Sequence, residues 1–145
     1  MKKMMIASLL AAVTFTSVAE IKPFQATEYR RGVFKAVKWQ FGPIADMMKG
    51  KKEFDGAEFS QRAENLAALS RMPLEGFVAG SYSRGTRALP TIEEDWETFT
   101  GLMGDFQKNT QALAEVAKTG DKGQIKPAFI DVAKTCKACH KKFKD

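Results

Sequence analysis

Between about residues 27 and 49, apolar side chains fall at Tyr29, Val33, Val37, Phe41, Ile44 and Met48. Steps of three and four mark one face of an α-helix. Gly42-Pro43 interrupts the run and predicts a kink. Gly50, within Lys49-Gly50-Lys51-Lys52, suits a left-handed cap. Asp55 reads as the N-cap of a second helix, with Glu58 completing a capping box. Phe59, Ala63, Leu66 and Leu69 give that helix its apolar stripe, and Pro73 stops it.

From Pro73 to Pro90 no period survives; Gly76, Gly80, Ser81, Ser83 and Gly85 punctuate the stretch. A connection this long in a small domain often covers a site or crosses a bundle. Phe77, Val78 and Tyr82 are placed to pack there as a short helical turn. Thr91 opens a third helix, with Glu93, Glu94 and Asp95 against the positive end of its dipole. Its stripe runs Ile92, Trp96, Phe99, Met103, Phe106 and Leu113 toward Val116, weakened at Gly101 and Gly104 by about 1 kcal/mol each. After a turn at residues 119–123, a last helix carries Ile125, Phe129, Val132, Cys136, Cys139, His140 and Phe143 on one side. Pro127 falls in its first turn, where a missing N–H costs little. Strand alternation and internal repeats are absent. The pattern predicts an all-α protein, an antiparallel four-helix bundle around one core.

The 145 residues suffice for one such domain. Residues 1–19 have the layout of a secretory signal peptide: Lys2 and Lys3, a mostly apolar stretch from Met4 to Phe15, then Ser17-Val18-Ala19 for cleavage. The expected mature domain is therefore residues 20–145, exported and periplasmic. Losing the two lysines lowers the formal net charge from +6 to +4. The remaining basic residues are interleaved with acidic ones, and no stacking or base-reading motif accompanies them, so a nucleic-acid partner is not expected. No later run approaches the roughly 20 apolar residues of a membrane span.

The two cysteines and the single histidine of the chain occur in one pentapeptide, Cys136-Lys137-Ala138-Cys139-His140. Cys-x-x-Cys-His is the attachment signature of c-type haem. Three residues apart on a helix, Cys136 and Cys139 lie side by side and can each form a thioether to a haem vinyl group. His140 can then turn its imidazole under the iron. A Cys136–Cys139 disulfide is the competing reading in an oxidising compartment. A thioredoxin-like redox pair would want a preceding strand, and zinc would want about four ligands where three are present.

With that motif at the C-terminal end, the chain resembles the cytochromes c′, the class II c-type cytochromes. The likeness extends to Tyr29-Arg30 early in the first helix, Phe41-Gly42, Lys49-Gly50 and the Trp96–Phe99 pair. It implies one covalent haem c on the C-terminal helix, often in a homodimer, with a five-coordinate iron that binds NO and sometimes CO. The resemblance places Phe34 over the iron as an apolar distal residue, with Val33 and Val37 as alternatives for the nearest group. It makes Arg30 a partner of a haem propionate. Four residues after His140, where relatives often carry Arg, this chain has Lys144, which keeps the charge and loses the planar fork.

The single histidine excludes bis-His ligation within one chain. A methionine sixth ligand would make a low-spin electron carrier. In low-spin relatives that Met lies near the Arg of the first helix, and residues 30–37 contain none. Met47 and Met48 are more than ten residues further on, about 15 Å along a helix. The sequence therefore points to a non-enzymatic NO-binding protein, with a periplasmic electron carrier and its redox partner as the alternative. A haem-free helical protein with a Cys136–Cys139 disulfide is the third possibility. Trp39 and Trp96 are expected to be packing groups. Ile44 and Phe59 are candidates for either a dimer face or the core.

Overall fold

The computed structural model describes residues 21–145; the predicted signal peptide lies outside them. Helix α1 spans Pro23–Met48, α2 Gly56–Ser70, a one-turn α3 Thr91–Glu94, α4 Trp96–Ala117 and α5 Lys122–Phe143, with a 3₁₀ turn at Pro73–Gly76. The four long helices form the bundle. A single isolated bridge, Ala88 with Lys144, is the β pairing among the described residues.

Helix α1 starts at Pro23, earlier than its apolar stripe suggests, because a proline at the first helical position gives up an N–H that has no partner anyway. The helix continues through Pro43. Gly50 takes φ +71°, the left-handed geometry expected of it. Asp55 caps α2, its Oδ1 accepting from the N–H groups of Ala57 (2.9 Å) and Glu58 (3.0 Å). The capping box does not close as expected: Glu58 pairs with Lys52 and with Arg62 instead. Those two cations hold its carboxyl below the usual glutamate value.

Two expectations for the later helices need correction. The third helix breaks at Asp95 (φ −128°, ψ 52°), so α3 is a single turn and α4 begins at Trp96. Pro127 is the sixth residue of α5 rather than part of its first turn, because Asp121 caps the helix by accepting from Gly123 and Gln124.

The core gathers Ile44, Phe59, Leu66, Phe99, Leu113, Ile125 and Val132, each at most 1% exposed. Ile44 and Phe59 are thus core and serve no dimer face. Trp39, expected to pack, is 74% exposed; Trp96 is 42% exposed and rests one ring face near Phe99 (centroids 5.6 Å). Helix α4 packs on both α2 and α5, and α1 packs on α2 and the 3₁₀ turn, while α1 and α5 touch only sparsely. Phe41 stacks on Phe129 (centroids 5.4 Å) at one place where the two meet. The space between α1 and α5 is where the candidate site lies.

Candidate functional site

A cavity of about 550 Å³ opens between α1, α4 and α5. Its wall on α1 is Phe34, Val37 and Phe41; its floor on α4 is Phe99, Leu102, Met103 and Phe106; Cys136, Cys139, His140 and Phe143 face it from α5. Phe77 and Ala88 of the crossover 77–90 close the remaining side. That volume falls within the range of small-molecule and cofactor sites, and the apolar lining suits a large flat apolar group.

The three predicted ligating residues come together because α5 repeats every 3.6 residues. Cys136 and Cys139, one turn apart, are half-buried and are not bonded to each other. Burial pushes both thiols above the ordinary cysteine value, and Cys136 adds to the effect on Cys139. His140, the next residue, reaches the same cavity from an exposed position. Partial desolvation, then Lys144 and Arg87 alongside, lower its pKa from the ordinary histidine value. Unprotonated imidazole is the form that donates to a metal. Two thiols and an imidazole on one apolar wall match the donor set that covalent haem requires. Among the described residues no group of three or more His, Cys, Asp and Glu could hold a metal ion by itself.

Phe34 lines the cavity and meets Phe77 edge-on (centroids 6.3 Å, 75° between planes). Val37 lines it too, whereas Val33 turns into the protein and does not. Lys144 lies at the mouth, where the Ala88 bridge fixes the chain beyond α5.

Arg30 is 2% exposed and its guanidinium is heavily used. Nη1 donates to the Gly76 carbonyl (2.8 Å) and Ser81 Oγ (2.6 Å). Nη2 donates to the Ser81 carbonyl (2.5 Å) and Thr86 Oγ1 (3.1 Å). The rings of Phe77 and Tyr82 flank its Cζ at 4.8 and 5.2 Å. Desolvation lowers its pKa from the arginine value, and four hydrogen bonds offset the burial. Only Nε–H remains free for a cofactor carboxylate. Gly76 is obligatory at this point: a Cβ there would sit 2.9 Å from Arg30 Cβ and 3.1 Å from the Ala26 carbonyl oxygen.

Several lining residues escape sequence reasoning. Arg87 and Ala88 reach the cavity through backbone pairing with the C-terminus, Leu89 N–H donating to the Phe143 carbonyl (3.0 Å) and Asp145 N–H to that of Arg87 (3.1 Å). Such non-local contacts leave no periodic trace. Met103 was legible as part of the α4 stripe, but its place in the cavity was not.

Bundle, cavity and donor set together define a c-type haem protein built on four helices. The family model described as Cytochrome C' matches residues 25–144. The structure of cytochrome c prime from Shewanella frigidimarina superposes with a TM-score of 0.84 at 47% identity, covering 86% of this chain and 97% of that one. The cytochrome c' of Rubrivivax gelatinosus is 35% identical over 125 residues, 86% of this chain and 97% of its own. A nitric oxide complex of a mutant cytochrome c prime from Alcaligenes xylosoxidans is 32% identical, with a TM-score of 0.78 and coverage of 86% and 96%. The chain belongs to the cytochrome c′ family. As a member it carries one covalently attached haem c, and the fold is the family's four-helix bundle with the haem on the C-terminal helix.

Proposed function

We propose that this is an exported, periplasmic haem protein that binds NO, and CO less readily, through a five-coordinate iron, without acting as an enzyme. The observation that carries this is the lining opposite His140: Phe34, Val37 and Phe41, with no second imidazole in the chain to close the far side. The haem, when bound, supplies an iron that takes up NO in its ferrous state. Cys136 and Cys139 would tether it, and His140 would ligate its iron. Phe34 is the steric gate over the opposite face: it donates no hydrogen bond, so it gives no help to a polarised ligand such as O2, and its bulk raises the cost of entry. Arg30 offers Nε–H to a propionate, and Lys144 keeps a positive charge near the proximal side. The nitric oxide complex of the Alcaligenes relative supports the choice of ligand. Export rests on the signal-like residues 1–19.

Met103 favours a second reading. Met103 lines the cavity, and a thioether sixth ligand there would make a low-spin electron carrier. Absorption spectra decide between them. The first reading expects a broad high-spin ferrous spectrum shifted by NO, with Phe34→Ala strengthening CO binding by about tenfold or more. Sharp low-spin bands indifferent to NO, converted to high-spin by Met103→Leu, would establish the carrier.

A homodimer is part of the same proposal. Trp39 shares one side of α1 with Gly32, Ala36 and Pro43, and a Cβ on Gly32 would meet nothing within 4 Å. A second copy laid across this face would bury the indole and use the open space above Gly32. Sedimentation equilibrium should show a dimer for the wild type and a monomer for Trp39→Lys. A wild type that stays monomeric at 100 μM (about the upper working range) removes the dimer.

A further inference from the structure

The charged residues around the cavity are all of one sign. Arg31, Lys35 and Lys38 on α1, with Arg87 and Lys144 on the opposite side, ring its mouth, and no Asp or Glu is among the described residues that line it. On α1 the spacing of four and three puts Arg31, Lys35 and Lys38 on one side of the helix, about a quarter turn from the Trp39 face. Arg31 is paired with Glu28 (2.7 Å) and Arg87 with Asp145 (3.6 Å), whereas Lys35, Lys38 and Lys144 make no ion pair among the described residues. Arg30 adds a buried positive charge beneath them. Three unpaired lysines exceed what two propionates of a bound haem would neutralise. Inside the ring the surface is apolar, with Phe34, Val37 and Ala88.

We propose that this basic ring around an apolar opening is the docking surface for an acidic one-electron carrier protein. An apolar centre with a charged rim is the anatomy of a protein–protein contact, and single-sign rims raise encounter rates and fix orientation. In the docked pair one electron leaves the reduced centre of the partner and enters the ferric haem, with no bond made or broken. The partner is oxidised by one electron and the haem is reduced by one, which restores the state that takes up NO. The inference rests on the haem-bearing reading of the cavity.

The test uses the holoprotein, wild type against Lys35→Glu/Lys38→Glu and against Lys51→Glu/Lys108→Glu. The second variant makes the same change in net charge at exposed lysines that do not line the cavity. Binding of a fluorescent poly-glutamate peptide is read by anisotropy at low ionic strength. Oxidation of the ferrous protein is followed with ferricyanide, an anion, and tris(phenanthroline)cobalt(III), a cation. The ring variant should bind the peptide about tenfold more weakly and lose about tenfold in ferricyanide rate while gaining with the cobalt complex; the control should change by less than about twofold. Equal losses in the two variants would show that only net charge matters and overturn the proposal. Sedimentation with phosphatidylglycerol vesicles at about physiological salt, abolished in the ring variant alone, would reassign the ring to a lipid surface and overturn it as well. The Soret band and NO response of the same samples report separately on the reading beneath it.

Discussion

Serine at both Cys136 and Cys139 should give a protein from which acidified butanone extracts all the haem and whose apo form loses its near-ultraviolet circular dichroism. If the proposed thioethers at these two cysteines are the covalent attachment, the first outcome follows from the chemistry of the motif. The second follows from the cavity. Empty apolar volume costs about 24 cal/mol per Å³, so about 550 Å³ sets an upper bound near 13 kcal/mol. That is comparable to the whole stability of a domain, about 5–15 kcal/mol. Water entering through the open mouth reduces the cost without removing it, because Phe99, Leu102 and Phe106 offer water no hydrogen bonds. Helices with their own caps at Asp55 and Asp121 should persist while packing is lost, so far-ultraviolet dichroism remains. Haem that survives extraction from the double variant, or an apo form with native near-ultraviolet signal, would contradict this account.

Arg30→Met should destabilise the holoprotein by about 3 kcal/mol, measured by chemical denaturation. The substitution removes four hydrogen bonds at once and leaves buried acceptors behind, each costing about 1–3 kcal/mol. The Ser81 carbonyl keeps one donor, Thr27 Oγ1 at 2.9 Å, which limits the loss; the Gly76 carbonyl has no such second side-chain donor among the described residues. Arg30→Lys retains the charge and at most three donors, and should fall between the two. A loss below about 0.5 kcal/mol for Arg30→Met would mean that the clamp is not holding the crossover.

The sequence made the long helices legible because apolar residues recur every three or four positions, and it made Asp55 and Gly50 legible because caps have few acceptable chemistries. Cys136, Cys139 and His140 were legible for a related reason: the chemistry constrains residue type and spacing together. What escaped was set by contacts between distant segments. The resemblance offered Arg30 only as a propionate partner; the fold alone shows the crossover wrapping its guanidinium. Asp95 looked like a good early-helix acid, whereas in the fold the helix breaks there and its carboxylate pairs with Lys142, a contact between distant segments. Trp39 and Ile44 share an apolar character but differ in exposure, which depends on which side of α1 meets α2.

The crossover is fastened at both ends of its span. Arg30 holds it at Gly76, Ser81 and Thr86, and backbone bonds at Arg87 and Leu89 hold it to the chain just beyond His140. Lifting it as a lid would break most of these bonds together, placing such an opening among slow, local-unfolding events. Rotation of one half-buried ring, Phe34, requires none of them. If Phe34 gates the iron as proposed, passage beneath it needs only movement of that side chain, and the rate at which a small gas binds should be insensitive to crossover substitutions that leave Phe34 and its Phe77 neighbour in place.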